Sequence, residues 1–311
     1  MNPEISLQIP VKNGGDDFRE CLSSLRKQDT GGIPWELIII DDGSSIPVED
    51  DFDLNFPEEV RVEIIHTKSS GNRPIARNAG WQRATAPVSF LSDGDIRFPE
   101  DILLKHIEKH RRNAGDVIMG ARVNSWMKDA SPWQRWFDTR GMGARPARFF
   151  PPKYFVTGNV SLPTSLLRET GGFDPAIDHY GGEDTEFGFR LAGKGVSLYW
   201  DPGLKVYHLD TVTVREHSRK MVEYGGSGLK YTLKKIPEAE GLLGSSWVKP
   251  VFSKPVNPVT LSVRVLVRLT LLPPVYRCVL RWMEKFGKPS FLFTYLSVGG
   301  CLLGLSGRNF E

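Results

Sequence analysis

Two aspartates stand one residue apart where an apolar run of the sequence ends. The run is Val88-Ser89-Phe90-Leu91, and Asp93 and Asp95 follow it on either side of Gly94. Two carboxylates this close repel each other unless one keeps a proton or a cation lies between them. Oxygen ligands of this kind suit Mg²⁺ or Mn²⁺. Asp-Gly-Asp after a strand is also ordinary turn chemistry, so the tripeptide alone leaves both interpretations open.

A second group of acids follows two glycines further along the chain. Glu183 and Asp184 come directly after Gly181-Gly182 and open an apolar helical pattern. Glycines let the backbone approach a ligand closely, and the helix dipole favours acids in the first turn. Helix capping alone would account for one of the acids but not for the paired glycines. The pattern therefore predicts two carboxylates at the exposed mouth of a helix.

Arginines mark the start of another predicted helix. Arg73 and Arg77 belong to the run Asn72-Arg73-Pro74-Ile75-Ala76-Arg77, where a loop enters the helix. Free N–H groups and the helix dipole favour anions at such a position, which suits a phosphate. A solvated helix start explains the same residues, and this segment alone does not distinguish the two.

Strands and helices alternate along the part of the chain that would position these groups. Strands are predicted at residues 5–11, 35–40 and 60–65, and a helical repeat begins at Phe18. Strand 35–40 ends in Asp41-Asp42, so acids again follow a strand. Because open α/β sheets bind ligands at the carboxyl edge of their strands, we expect the acids to meet there.

Four short motifs occur in a fixed order. They are Pro10-Val11-Lys12-Asn13, Ile40-Asp41-Asp42-Gly43-Ser44, Ala76-Arg77-Asn78-Ala79-Gly80 and Asp93-Gly94-Asp95. In this order and spacing they resemble family 2 glycosyltransferases with the GT-A fold. The resemblance implies an α/β fold with a Rossmann-like mixed sheet flanked by helices, here followed by a mainly helical C-terminal extension. It also implies a nucleotide-diphosphate sugar as donor, with UDP as the first guess, and a Mn²⁺ or Mg²⁺ ion.

The resemblance further implies roles for individual residues. Asp95 would bind the metal directly, Asp93 would contact the metal or the ribose, and His208 would complete the metal shell unless it is structural. Asp184 would be the base, and Glu183 would orient the acceptor or support Asp184. Further donor contacts are expected at Pro10, Asn13, Asp42 (on the nucleobase), Arg73, Arg77, Gly158, Asn159 and Arg219.

A carboxylate placed as the base favours displacement with inversion. Processive synthases of the family carry a Gln-x-x-Arg-Trp motif, which Gln134-Arg135-Trp136 does not match. We therefore expect a hexosyl- or N-acetylhexosaminyltransferase that makes single transfers to a saccharide, lipid-linked or peptide acceptor. The alternative is a catalytically silent nucleotide-sugar-binding or membrane-associated scaffold of the same fold, against which the complete set of acids argues.

The charge of the chain is concentrated at its end. The net charge is +3, but residues from Ser245 onward carry +7 and the preceding part carries −4. We predict a catalytic domain at residues 1–240 and a basic, apolar helical region at 241–311. Its apolar stretches are too interrupted to span a bilayer, and basic amphipathic helices lying in the membrane interface are expected. The alternative is a packed helical subdomain or a homodimer contact. Residues 291–305 are predicted to form a shallow hairpin.

Three further features complete the prediction. Three widely spaced cysteines and an N-terminus without a signal pattern predict a cytoplasmic protein. Peripheral contact with the inner face of a membrane is the alternative location. No nucleic-acid partner is expected. His106 and His110 lie four residues apart among basic residues, which predicts a solvated face and no metal. The aromatic segment 124–153 is either a mobile acceptor-side loop or, as favoured for 133–137, a helix packed on the sheet.

Overall fold

The computed structural model describes residues 2–68, 71–112, 116–124, 126–143, 145–243, 245–249 and 257–311. They form two compact units. The first unit comprises Met1–Ala130, Phe137–Asp178 and Glu183–Asp210. The second comprises Ser131–Trp136, His179–Gly182 and Thr211–Glu311.

Strands and helices alternate in the first unit, and the described residues of the second contain helices and no strand. The strands are β1 Ile5–Val11, β2 Trp35–Asp41, β3 Val60–His66, β4 Val88–Ser92, β5 Ile96–Arg97, β6 Val117–Val123, β7 Arg148–Phe149, β8 Asn159–Pro163 and β9 Leu198–His208. The helices are α1 Gly15–Leu25, α2 Val48–Asp51, α3 Arg73–Arg83, α4 Ile102–Arg111, α5 Pro132–Asp138, α6 Thr164–Thr170, α7 Glu183–Gly193, α8 Val214–Gly226, α9 Gly228–Lys235, α10 Glu240–Leu243, α11 Pro258–Thr270, α12 Pro273–Phe286 and α13 Phe291–Leu305.

The described strands form one mixed sheet in the order β3-β2-β1-β4-β8-β6-β9-β5, with β7 paired to β9. Strand β1 is parallel to both β2 and β4, and β8 runs antiparallel to β4 and β6. The mixed α/β sheet confirms the predicted fold class. Residues 198–208 form one long strand, β9, which lies between β6 and β5.

Strands β1 and β2 of the parallel half are buried along almost their whole length, and the run Leu37 to Ile40 of β2 is accordingly apolar throughout. Ile5, Leu7 and Ile9 of β1 are fully buried, as are Leu37 to Ile40 of β2. Helix α1 covers one face with Phe18, Cys21, Leu22 and Leu25, which share the core cluster of Phe90 from β4. Burial of such side chains stabilises the fold by about 1.5–3 kcal/mol each.

The strand order reverses beside β1, and the reversal determines where a ligand can bind. Strand β1 connects through α1 to β2 on one side, while β4 lies on its other side. In open α/β sheets, the crevice at the carboxyl ends of two such strands is the usual ligand site. The segments that begin at Pro10 and at Asp93 leave the sheet at this crevice.

Helix α4 corrects the expectation of a solvated face at His106 and His110. His106 is fully buried against the sheet, and Nδ1 of His106 and Nε2 of His110 lie 2.7 and 2.8 Å from the Ser161 hydroxyl of β8. The basic residues around them occupy the outward face of the same helix, because neighbours in sequence point about 100° apart. The basic neighbours of His106 in the sequence therefore led to the wrong prediction for a core histidine.

In the second unit, α13 is one helix and not the predicted hairpin. It packs on α8 through glycines: a Cβ on Gly304 would overlap the backbone carbonyl of Val222, and a Cβ on Gly225 would overlap the backbone carbonyl of Cys301. Helix α5 confirms the helix predicted at 133–137, but its Trp133 ring packs 5.0 Å from Phe293 of α13 rather than on the sheet. Small residues thus bring two helix backbones together at a distance that larger ones would prevent.

Membrane-spanning potential is limited in the described residues. No individual helix there combines the length and hydropathy needed to cross a bilayer. Helices α11 and α12 reach that standard only as a pair, and the chain bends by 64° between them.

Candidate active site

Asp95 and His208 converge at the carboxyl edge of the sheet. Oδ2 of Asp95 lies 3.3 Å from Nε2 of His208, and Oδ1 of Asp95 is buried with no hydrogen-bond partner among the described residues. Nδ1 of His208 is 3.0 Å from the carbonyl oxygen of Asp210. A carbonyl only accepts, so in the neutral ring Nδ1 carries the proton and Nε2 presents a lone pair to Asp95. Two ligand atoms that face each other in this way fit a divalent cation.

Asp93 has a different environment from Asp95. Its Oδ1 accepts a hydrogen bond from Arg77 at 2.6 Å, and its Oδ2 accepts one from Arg122 at 3.1 Å. Burial would raise the pKa of the Asp93 carboxyl, but Arg77 and Arg122 outweigh it and hold the pKa at about 2. Asp93 is therefore ionised and engaged by two arginines. Of the three predicted metal ligands, Asp95 and His208 are the two that face each other.

Gly158 makes room for this ion-pair cluster. Its φ of +105° is a conformation that other residues rarely adopt, and a Cβ there would lie 2.7 Å from Oδ2 of Asp93 and 3.0 Å from Nη1 of Arg122. The Ser92 hydroxyl donates to the Gly158 carbonyl at 2.9 Å, which ties the glycine to the end of β4. The position requires glycine for both its backbone angle and its space.

Glu183 and Asp184 form an acid pair in the first turn of α7. Glu183 is buried and Asp184 is half-buried, so the expectation that both stand at an exposed helix mouth is wrong for Glu183. The backbone N–H and the hydroxyl of Thr157 donate to Asp184 at 3.2 and 3.1 Å. Oε1 of Glu183 lies 3.8 Å from Nη1 of Arg73, and Oε2 is buried with no partner in the described part of the chain.

Both carboxyls of this pair hold their protons more tightly than usual. Burial first, and then the charge of Asp184, raise the pKa of Glu183 to about 7. Burial also raises the pKa of Asp184, although Arg77 and the Thr157 hydrogen bonds oppose it. Carboxyls with raised pKa values near neutrality are candidates for proton transfer.

A shallow cavity of about 190 Å³ lies beside the ends of β1 and β2. Asn13, Ser44, Ser45 and Ile46 line it, and Asn13 adopts a φ of +52°. The Asn13 side chain accepts from the backbone N–H of Ser45 at 2.8 Å, and the backbone N–H of Asn13 donates to the Ser44 hydroxyl at 2.9 Å. The two loops therefore fix each other.

Asp42 and Pro10 lie at the ends of the strands that border this cavity. Asp42 is buried, its backbone N–H donates to Val11 at 2.8 Å, and its Oδ1 accepts from the Thr67 hydroxyl at 2.8 Å. Pro10 pairs with Ile40 at the end of β1. The structure thus brings Pro10, Asn13 and Asp42 to the carboxyl ends of the neighbouring strands β1 and β2.

Asn159, a predicted donor contact, uses its side chain inside the protein. Its amide nitrogen donates to the carbonyls of Ala121 and Leu204 at 3.0 and 2.9 Å, and its oxygen lies 3.1 Å from Nε2 of His106. Burial lowers the pKa of His106 to about 3, so this ring is neutral. We therefore interpret Asn159 as a residue that ties β8 to β6 and β9, and we do not carry its side chain into the donor site.

Two candidate functional residues, Arg122 and Thr157, were not predicted from the sequence, and one predicted residue, Arg219, lies in the second unit. Arg122 on β6 and Thr157 before β8 contact the central acids, yet neither stands in a motif that would have singled it out. Its position near the end of a buried strand is the sequence feature that could have identified Arg122. The predicted contact Arg219 is exposed on α8 of the second unit.

Asp41, Glu49 and His66 form a further group of potential metal ligands in the described residues. His66 bridges the two carboxylates, with Nδ1 3.4 Å from Asp41 and Nε2 3.0 Å from Glu49. Asp41 also accepts the backbone N–H of Ser44 at 2.8 Å. These contacts explain the group as a brace between β2, β3 and α2.

Comparison with known proteins identifies the family of this chain. The sequence profile described as Glycosyl transferase family 2 matches residues 6–173, and the one described as the N-terminal domain of galactosyltransferase matches residues 146–212. A pre-mycofactocin glycosyltransferase of Mycobacterium tuberculosis is 27% identical over 231 residues, covering 72% of this chain and 46% of that protein. The chain thus spans less than half the length of that relative.

Two solved structures share the fold. A mannosyltransferase from Pyrobaculum calidifontis in complex with GDP-Man and Mn²⁺ superposes with a TM-score of 0.61 at 14% identity, covering 99% of this chain and 89% of that one. TarS from S. aureus in complex with UDP superposes with a TM-score of 0.54 at 15% identity, covering 99% and 93%. At these identities the likeness shows a shared GT-A fold.

Proposed function

Because the chain belongs to glycosyl transferase family 2, we propose that it transfers a sugar from a nucleotide-diphosphate donor to an acceptor hydroxyl. The observation that carries this proposal is the acid pair at the start of α7, where burial raises the pKa of Glu183 to about 7 and also raises that of Asp184. Buried carboxyls with raised pKa values beside Arg73 and Asp93 are unusual in a purely structural helix start.

Asp184 is the proposed base. Thr157 holds its carboxylate through two hydrogen bonds, which orients both oxygens before any acceptor arrives. Removal of a proton from the acceptor hydroxyl by a positioned carboxylate contributes roughly 10²–10⁴-fold to a rate. The same placement favours attack opposite the leaving group and therefore inversion. Glu183 supports Asp184, because the two charges raise the proton affinity of the pair.

The proposed donor site extends from the β1–β2 cavity to Asp93. Asp42 and Asn13 would receive the nucleobase and ribose beside the cavity, with Pro10 at its wall. Arg73 and Arg77 at the start of α3 would face the diphosphate, and Gly158 would let the sugar approach the backbone. Arg219 remains a proposed diphosphate contact. Neighbouring folds bind UDP or GDP-Man, and a UDP-sugar remains our first candidate.

Asp95 and His208 would hold a divalent cation, with Asp93 as a further ligand or a ribose contact. Such an ion supplies charge stabilisation to the diphosphate leaving group, worth several kcal/mol. The buried, unpartnered Oδ1 of Asp95 is a ligand type that Mn²⁺ and Mg²⁺ accept, and Nε2 of His208 is a potential ligand when the ring is neutral with its proton on Nδ1. Mn²⁺ is the first choice, because the mannosyltransferase that shares the fold was solved with GDP-Man and Mn²⁺.

Single transfer and a peripheral membrane contact complete the proposal. A saccharide, lipid-linked or peptide acceptor fits the chemistry equally, since the base needs only a hydroxyl. The C-terminal region would hold the enzyme at a membrane surface, and a homodimer is the alternative for that region.

A donor screen tests the transfer function. Thermal shifts with Mn²⁺ and a panel of UDP- and GDP-sugars should show stabilisation by one donor, because a ligand stabilises the fold according to its concentration over Kd. Slow release of nucleotide diphosphate from that donor should follow. Donor binding without hydrolysis or transfer would favour a silent sugar-nucleotide-binding scaffold, and no binding by any donor would contradict the proposal.

A further inference from the structure

Helix α12 exposes an apolar stripe on one side while its other side packs into the second unit. Tyr276, Leu280 and Met283 are buried, and the Tyr276 hydroxyl donates to the carbonyl of Leu296 at 2.6 Å. Trp282 and Phe286 are 51% and 50% exposed, and their rings lie 4.4 Å apart. Large aromatic side chains exposed together on a folded helix mark an interaction surface.

The exposed apolar residues form a continuous line. At 100° per residue, Val275, Trp282 and Phe286 fall within about 40° of one another on the helix surface. All three are exposed, and we call them the docking stripe. The preceding helix α11 adds exposed Leu266 and Leu269, which are 60% and 56% exposed.

A basic stripe runs beside the docking stripe. Arg277, Arg281 and Lys285 are spaced four residues apart and exposed, and Lys288 follows the helix. The acid of α12, Glu284, is neutralised by Arg215 of α8 through two hydrogen bonds of 2.8 and 2.6 Å. The outward charge of this helix is therefore positive.

We propose that α12 docks on an anionic lipid surface, with the docking stripe in the interface and the basic stripe at the headgroups. This inference deepens the membrane contact proposed above and does not depend on the transfer reaction. Aromatic residues next to basic ones are typical of helices that lie in the interface. A second copy of the chain is a poorer occupant, because a symmetric contact would place the basic stripe near its own copy.

The half-buried state of α12 favours docking over spanning. Tyr276, Leu280 and Met283 already face protein, so one side alone is available to lipid. The 64° bend between α11 and α12 also breaks the pair as a straight span. A peripheral helix that inserts aromatic side chains and keeps its protein contacts accounts for both observations.

Vesicle sedimentation of the full-length chain tests the inference. The probe is a vesicle of phosphatidylcholine with phosphatidylglycerol, compared with phosphatidylcholine alone. Trp282→Gln with Phe286→Gln should lower the partition coefficient at least about tenfold, because the polar amides lose the apolar contribution to binding. Phe149→Gln is the matched control, since Phe149 is 62% exposed in the first unit. The control should bind vesicles as the wild type does.

A second pair of variants tests the charge. Arg281→Gln with Lys285→Gln should weaken binding to the anionic vesicles by about fivefold per charge, and high salt should remove the difference. Lys230→Gln with Lys234→Gln changes the net charge equally on exposed residues of α9 and should have little effect. This pair leaves the aromatic residues intact and therefore carries the test even if the aromatic double variant fails to fold.

Several outcomes would overturn the inference. They are a wild type that does not sediment with anionic vesicles, equal binding to neutral vesicles, and equal loss in the test and control variants. A wild-type dimer that Trp282→Gln with Phe286→Gln makes monomeric, without vesicle binding, would assign the stripe to a second copy. Donor affinity, measured by calorimetry on the same variants, should be unchanged, so failure of docking and failure of the transfer proposal remain distinguishable.

Discussion

The carboxyl edge of the sheet buries charged side chains, whereas the outer side of α11 and α12 exposes apolar ones. At the edge, Glu183 and the Oδ1 atom of Asp95 are withdrawn from water although neither carboxylate has its full set of partners in the described residues. On α12, Trp282 and Phe286 remain half exposed beside arginines and lysines. Each region thus departs from the usual distribution of polar and apolar groups, in opposite directions.

The difference indicates which kind of partner each region suits. A buried, under-partnered carboxylate is costly unless a cation or a proton compensates it, so the edge is suited to a charged ligand or to proton transfer. An exposed aromatic stripe costs less, and an apolar or interfacial partner would remove it from water. Changes at the edge should therefore alter chemistry while the fold persists, and changes in the packing of the second unit should alter stability while the donor site persists.

The largest effect is expected from Asp184→Asn. The amide keeps the shape of the side chain but loses its basicity, so transfer should fall by roughly 10²–10⁴-fold while donor affinity is retained. Rates and calorimetric donor titrations measure the two terms. Thr157→Val, which removes one hydroxyl contact to Asp184, should give a smaller loss of rate. A parallel collapse of donor affinity would place Asp184 in the donor site, and an NMR-determined product of retained configuration would refute inversion.

Asp95→Ala tests the ligand side of the comparison. We expect metal-dependent donor binding to disappear, because the variant removes the carboxylate and leaves His208 alone to bind the metal. The melting temperature without ligand should change little. Titration of UDP with and without Mn²⁺ measures the effect. Asp101→Ala is the control, because Asp101 is a half-exposed acid before α4, and this variant should bind UDP in Mn²⁺ as the wild type does. Unchanged UDP affinity in Mn²⁺ would remove Asp95 from the metal site.

Glu183→Gln should change how stability depends on pH. A pKa raised from 4.5 to about 7 means that the folded chain binds the Glu183 proton more tightly than the unfolded chain does. The wild type should therefore lose stability as pH rises from about 4.5 to above 7, by on the order of 3 kcal/mol at most. The amide of the variant cannot ionise, so the variant should lack the part of this decline that Glu183 contributes, while the smaller part from Asp184 remains.

Urea unfolding at pH 5 and pH 8, without metal or donor, measures that difference. Glu169→Gln is the control, because Glu169 is exposed on α6 and should leave the wild-type decline in place. If the wild type and Glu183→Gln lose stability equally between the two pH values, Glu183 does not carry a raised pKa.

The smallest effect is expected from Gly304→Ala in the second unit. The added methyl would meet the backbone carbonyl of Val222 in α8, so α13 must shift at a cost of about 1–3 kcal/mol. Gly241→Ala on α10 meets no atom within 4 Å and should be neutral or slightly stabilising. Unfolding curves compare the two variants, and UDP titration should give the same affinity for both. Equal stability would show that α8 and α13 are not packed closely at this glycine.

Local patterns were sufficient to predict strands β1 to β4, the starts of α3 and α7, and the acids that follow β2 and β4. Strand β2 contains the apolar run Leu37 to Ile40 because both its faces are buried, and Asp93 to Asp95 follow β4 directly. The order of the motifs identified the family, since their chemistry depends on residue type and sequence spacing. These properties are local, and the sequence states them directly.

Contacts between distant segments decided the rest. His106 sits among basic neighbours, yet helical geometry turns it onto β8, where it meets Asn159 and Ser161. Arg122 reaches Asp93 because β6 and β4 both pair with β8.

By itself, then, the sequence determined which residues could do chemistry and on which element each would stand. The tertiary structure decided which of them meet, because strand order and helix rotation depend on how the whole core packs. That is why Asp93 faces two arginines while Asp95, one residue away from it across Gly94, faces His208. It is also why residues 291–305 form one helix: glycines on α8 and α13 let the two backbones approach, and no pattern within either segment records that contact.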